Sequence, residues 1–287
     1  MCREKRKLPI GIENFEQIIK DDFYYVDKTG LISGLLRNWG MVNLFTRPRR
    51  FGKSLNMSML EHFFSIERDQ SIYDGLEISK DTKLCEEYMG KYPVISISLK
   101  GINAAAYEDA FDFAVQIMQR TAEEFQFLSD SEYLSEHDKS VYRELLDSNM
   151  SETVFCGGLK ILSKLLEKHY RLKGFLLIDE YDVPLAKAFE NGYYEQMIFQ
   201  DYVNVFPENY WINTSSNDAV KKFIQMSDNL KTKREIETLL AGEEIIKEIH
   251  QELIYPEMYQ SLENVWSLLF MTGYLTQRGS GRVDAKP

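Results

Sequence analysis

The strongest constraint on the fold is a change of period near residue 50. Met41-Val42-Asn43-Leu44-Phe45 is a short apolar run that reads as a buried strand, and Thr46 to Gly52 reads as a loop. From Lys53 onward the apolar residues recur at helical spacing, with Leu55, Met59, His62 and Phe63 on one face. Strand, loop and amphipathic helix in that order make the first half of a βαβ unit. Two more strands are expected, one at Pro93–Leu99 and one at Phe175–Ile178. The second is a continuous apolar run of the kind found in strands covered on both faces. A further short strand is expected at Phe23–Val26.

Helices fill the intervals. Thr29 to Arg37 carries Leu31, Ile32, Leu35 and Leu36 on an apolar face. The stretch after Gly101 shows Phe111, Val115, Met118, Ala122 and Phe125, and a helix with Leu159, Leu162 and Leu166 leads into the Phe175 strand. From about Ser216 the pattern turns wholly helical. There Thr232 and Glu235 have capping-box spacing, Ile236, Leu239 and Leu240 make a face, and Gly242 is placed to end the helix. Residues 1–200 therefore read as one α/β domain and 201–287 as a helical C-terminal region.

The loop carries the first chemical signal. Gly52-Lys53-Ser54 between a strand and a helix is the context of a phosphate-binding loop. Backbone amides converge there on an anion at a helix N-terminus, the lysine reaches the outer phosphates, and the hydroxyl binds Mg²⁺. The full pattern asks for glycine at position 47, where this chain has Arg47. The second signal is Asp179-Glu180 at the end of the Phe175 strand, where open α/β sheets bind ligands. Asp179 is placed to hold Mg²⁺ and Glu180 to polarise an attacking water as general base. Two such motifs in this order predict a P-loop NTPase, with a three-layer α/β/α arrangement around a mainly parallel sheet.

Charge separates possible ligands. The chain of 287 residues has a net charge of −11, yet residues 1–58 hold 11 Lys/Arg against 6 Asp/Glu. Arg47, Arg49, Arg50 and Lys53 form a basic island in an acidic protein, suited to one compact anion. Direct nucleic-acid binding, which depends on neutralising many phosphates, is not expected. No apolar run reaches the length of a membrane span, and the basic N-terminus has no apolar segment behind it. Three scattered cysteines point to a reducing, cytoplasmic setting. His62 and His169 have apolar neighbours and read as core residues, and Cys156 has no His/Asp pair to activate it.

The chain resembles the bacterial AAA-ATPase-like proteins. The likeness is carried by Arg-Pro-Arg-Arg-Phe-Gly-Lys-Ser (Arg47 to Ser54), Val-Asp-Lys-Thr (Val26 to Thr29) and Leu-Ile-Asp-Glu-Tyr-Asp-x-Pro (Leu177 to Pro184). It continues in Tyr-Trp-x-Asn-Thr-Ser-x-Asn (Tyr210 to Asn217) and Leu-x-x-Thr-Gly-Tyr-Leu-Thr (Leu269 to Thr276). The resemblance implies a Walker A loop that binds ATP through Arg49, Arg50, Phe51, Gly52, Lys53 and Ser54. It implies a Walker B strand with Asp179 as Mg²⁺ carboxylate beside Ser54, and Glu180 as catalytic base. Arg49 and Arg50 either add charge beside the phosphates or are solvated loop arginines. Asp27 and Lys28 belong to a nucleotide-proximal segment of the family, where a structural role is the expectation. Asp182 is either a supporting acid or a plain helix N-terminal one.

The sequence also departs from that family. Only about 25 residues separate Pro184 from Tyr210, where a strand with a polar sensor residue is usual, so the chain looks shortened near residues 198–206. Losing a central strand leaves two inward sheet edges: the flanking strands close up, another segment fills the gap, or the fold is compromised. Leu268 to Gly273 has the look of a filler, but as a helix end it fits the likeness better. The nuclease-like domain carried by many relatives has no counterpart set of residues here. The expectation is Mg·ATP binding with hydrolysis possible. The alternative is a non-catalytic remnant acting in protein interaction, with a protein partner or a second copy as its contact.

Overall fold

In a computed structural model of the chain, the structure describes residues 6–38, 40–43, 45, 51–66, 68–199, 230–250, 261–271 and 274–276. The described chain is mostly helical, with one small parallel sheet. In order come α1 (Phe15–Lys20), α2 (Gly30–Arg37), α3 (Lys53–Phe64), α4 (Thr82–Tyr88), β1 (Val94–Ser98), α5 (Tyr107–Glu123), α6 (Glu136–Leu145) and α7 (Glu152–Tyr170). Then follow β2 (Phe175–Asp179), α8 (Val183–Asn191), α9 (Tyr194–Phe199), α10 (Leu230–Leu240) and α11 (Leu262–Met271).

Side-chain caps set several of the helix starts. Asn14, Asp81, Ser135 and Ser151 each accept a hydrogen bond from a first-turn amide, at the N-termini of α1, α4, α6 and α7. At α6 the cap is reciprocal: Ser135 Oγ accepts from the Asp138 amide while Asp138 Oδ2 accepts from the Ser135 amide.

β1 and β2 pair in parallel, from Val94 opposite Phe175 to Ser98 opposite Asp179. A tight approach precedes the pairing. A Cβ on Gly174 would sit 2.4 Å from the Pro93 carbonyl oxygen, the same oxygen that accepts from the Phe175 amide at 2.9 Å. Only glycine fits that position.

Strand alternation divides the apolar residues between two cores. On one side Ile95, Ile97 and Ile178 join the helices α5, α6 and α7, whose Met118, Tyr142, Leu162 and Leu166 are at most 2% exposed. On the other side Val94, Phe175 and Leu177 join Phe15, Ile32, Met59, Phe63 and Tyr73 from α1, α2, α3 and the turn after it. Leu268 of α11 packs into the first core, while Val265, Trp266 and Leu269 form a third cluster with Ile236 and Leu239 of α10.

Several expectations need correction. Met41–Phe45 is not a strand in its described residues: Met41 is 99% and Val42 71% exposed, and Asn43 turns back to donate to the Gly40 carbonyl. A ladder needs a neighbour, and among the described residues β2 pairs only with β1. Phe23–Val26 is likewise irregular. Its anchor is Tyr25, whose ring meets Phe15 edge-on at 5.4 Å, while Tyr24 and Val26 face solvent.

β2 is not covered on both faces, since Leu176 is 45% exposed. Thr232 lies inside α10 and so cannot cap it, Leu240 is exposed, and residues 243–250 are not helical. Gly242 does end the helix, at φ +80°, and Leu268 to Met271 is helix rather than a filling strand. Leu44, Arg47, Arg49, Arg50 and the Tyr210–Asn217 motif lie outside the described residues.

Candidate functional site

α3 begins where the sequence places its loop. Gly52 caps it with φ +76° and ψ 29°, a left-handed conformation that side chains beyond glycine adopt only with strain. No side-chain oxygen caps this helix. The first amide to find an acceptor is that of Asn56, on the Gly52 carbonyl at 2.9 Å. The amides of Lys53, Ser54 and Leu55 therefore present open donors among the described residues, the standard condition of an anion-binding helix start. Lys53 and Ser54 are half-buried and Phe51 is 61% exposed.

The far end of α3 packs against β2. Phe64, its last residue, stacks on Phe175, the first of β2, with centroids 4.3 Å apart. Leu177, farther along the strand, lies in the same cluster as Met59 and Leu60, nearer the helix start. The 12 residues of α3 span about 18 Å at 1.5 Å each, and the 5 of β2 span about 16 Å. The Phe64 contact sets the C-terminal end of α3 beside the start of β2, and the site pairs are Lys53 and Ser54 on the helix and Asp179 and Glu180 at the end of the strand. No hydrogen bond or ion pair joins the two pairs among the described residues.

At the end of β2 the chain turns sharply. Asp179 Oδ1 accepts from the Glu180 amide at 3.0 Å, and the Glu180 carbonyl accepts from the Val183 amide. Glu180 sits at φ +53°, left-handed without being glycine, a strained conformation found most often at functional sites. Its Oε2 is shielded from solvent and has no hydrogen-bond partner among the described residues. Such an oxygen has room in its hydrogen bonding for a water or a ligand group. Asp182, at the start of α8, is 4% exposed.

A further segment reaches the α3 turn. Asp27 Oδ1 accepts from the amide and hydroxyl of Thr29, at 2.8 and 2.7 Å, and its Oδ2 accepts from the Glu77 amide at 2.7 Å. Burial pushes the Asp27 carboxyl up, but these hydrogen bonds outweigh it and hold the group below the usual carboxylate range. Thr29, fully buried, accepts from the Ile78 amide. The expected structural role of Asp27 is what its contacts describe. Lys28 differs: its side chain is free of ion pairs among the described residues, and its Nζ stands 4.0 Å from where a Cβ on Gly52 would be. Sequence spacing gave no sign of this meeting across more than twenty residues.

The remaining candidates are structural. His62 is 5% exposed and its pKa is lowered by burial, against the pull of Glu16 at 3.5 Å. His169 exchanges a hydrogen bond with Ser131 at 2.7 Å amid Phe127, Tyr133 and Tyr170. Among the described residues no group of three or more His, Cys, Asp or Glu side chains could hold a metal ion. No helix among the described residues is long and apolar enough to cross a membrane.

Comparison with known proteins gives a family for the chain. One similar protein is an uncharacterized protein in the vnfD 5' region of Azotobacter chroococcum mcd 1, 29% identical over 182 residues. The match covers 63% of this chain and 30% of that protein, so the chain spans under a third of its relative's length. No solved structure matches the chain. The family model described as "Predicted AAA-ATPase" matches residues 9–233, a span that takes in both the Gly52 turn and the end of β2, and the chain belongs to that AAA-ATPase-like family.

Proposed function

We propose that this protein binds Mg·ATP at the start of α3 and supports its hydrolysis from the end of β2. The observation that carries the reading is the Gly52 turn: a left-handed glycine, three open amides and a lysine as first helical residue. The unpaired Glu180 oxygen at the end of β2 supports it. The fold behind it is read as a P-loop α/β/α arrangement over residues 1–200, followed by a helical region. Apolar clusters on both faces of the β1–β2 sheet support that reading.

In this reading the first-turn amides and the Lys53 ammonium hold the phosphates, with Arg49, Arg50 and Phe51 completing the loop. The Ser54 hydroxyl and Asp179 carboxylate hold Mg²⁺, which when bound neutralises charge developing on the phosphates. Glu180 accepts a hydrogen bond from a water and takes its proton as the water attacks in line. Binding is measured by titration calorimetry: Lys53→Ala abolishes it, while Glu180→Gln keeps it and removes turnover. Equal affinity of Lys53→Ala and wild type would refute the assignment.

A second reading, nucleotide binding without turnover, is favoured by one observation. Residues 41–43 and 45 lie exposed outside the sheet, so among the described residues no strand delivers the loop. Steady-state phosphate release from wild type decides between the two. Cys85 and Cys156 are not joined in a disulfide, which fits a cytoplasmic protein.

A further inference from the structure

We infer that Lys28 is a second phosphate-binding lysine of this site, brought to the Gly52 turn by the segment before α2. The inference rests on the proposed nucleotide site and adds a group that the phosphate-loop motif does not contain.

Three observations carry it. The Lys28 Nζ lies 4.0 Å from the position a Gly52 Cβ would take, at the α3 start with its open amides. The backbone that presents it is fastened on both sides. The Lys28 amide donates to Tyr25 Oη at 3.2 Å, and Asp27 and Thr29 are tied to each other and to the amides of Glu77 and Ile78. The side chain itself does no structural work, for it is exposed and makes no ion pair or hydrogen bond among the described residues.

Charge makes the arrangement unfavourable without an anion. Lys28 immediately precedes α2 and also faces the start of α3, and a helix N-terminus repels a cation. Backbone and neighbouring side-chain contacts hold the segment that carries this lysine beside the turn all the same. A phosphate chain at the Gly52 turn resolves the conflict, because it pairs with Lys28, Lys53 and the amides together. Its binding also ties the Asp27–Thr29 segment to the loop.

The test is titration of Mg·ATP into the full chain as wild type, Lys28→Ala, Lys28→Arg, Lys28→Gln and Lys53→Ala, each at several salt concentrations. A lost charged contact predicts affinity about tenfold weaker in Lys28→Ala and Lys28→Gln, with a shallower salt dependence. Lys28→Arg should keep most of the affinity. Ligand-free melting should be the same for all Lys28 variants. Loss of binding in Lys53→Ala with no change in Lys28→Ala and Lys28→Gln overturns the inference and leaves the nucleotide site standing. Wild type that binds no Mg·ATP overturns both. Lys28 variants that melt lower without ligand show the lysine to be part of the fold, which also overturns it.

Discussion

The starts of α3 and α6 are both polar helix termini near lysines, and they are built in opposite ways. At α6 every group answers another: Ser135 and Asp138 cap each other, and Lys168 closes on the Asp138 carboxylate. Lys168 and the Ser135 hydroxyl hold the Asp138 carboxyl down at about 2. At α3 the cap is a bare glycine with the Lys28 Nζ beside it and Lys53 as first helical residue, and neither lysine makes an ion pair among the described residues. A terminus that satisfies itself stabilises the fold. The starts of α2, α5 and α8 also lack a side-chain cap, so what sets α3 apart is the left-handed Gly52 with lysines beside it, and that combination is the basis for placing the ligand there.

Substitutions can break the contrast from either side. Lys53→Ala should produce the largest effect, weakening Mg·ATP binding by about 100-fold or more while leaving ligand-free melting unchanged, as calorimetry and a thermal scan would show. Asp138→Ala should do the reverse. Losing the reciprocal cap destabilises by roughly 1 kcal/mol, since the half-exposed Lys168 partner adds little, and Mg·ATP affinity stays the same. Denaturant unfolding beside a binding titration reads both. Gly52→Ala should touch both quantities: a left-handed alanine is unfavourable by about 1 kcal/mol, and relaxing it moves the turn that presents the amides.

Acid sharpens the comparison with a smaller effect. Asp138 has a folded pKa near 2 and an unfolded one near 3.9. Its contribution is therefore complete above about pH 4 and is lost as pH falls toward 2. His62, lowered by burial, is uncharged in the fold where the unfolded chain takes up a proton. Stability should accordingly start to fall below about pH 6.5, the unfolded value, and His62→Gln should flatten that limb of the melting-temperature profile.

What the sequence revealed and concealed follows the same division between local and non-local causes. α3 and β2 could be read because period, apolar run and terminal glycine act within a few residues, and the same holds for Gly242 closing α10. Met41–Phe45 misled because an apolar run becomes a strand only beside a partner, and β2 is paired with β1. The Asp27–Thr29 bracket on Glu77 and Ile78 and the approach of Lys28 to Gly52 join segments far apart in sequence, and no spacing rule announces them. Of the site, the Gly52-Lys53-Ser54 and Asp179-Glu180 signals were legible, whereas the contact of Phe64 on Phe175, which docks α3 against β2, was not.

The central claim is that the α3 start binds Mg·ATP through Lys53. Thermal unfolding of wild type and Lys53→Ala, each with and without Mg·ATP, tests it most directly. At 100 times its Kd a ligand bound only to the folded chain adds about 2.7 kcal/mol, so wild type should melt higher with Mg·ATP and Lys53→Ala should not respond. An equal shift in both proteins, or none in wild type, would contradict the account.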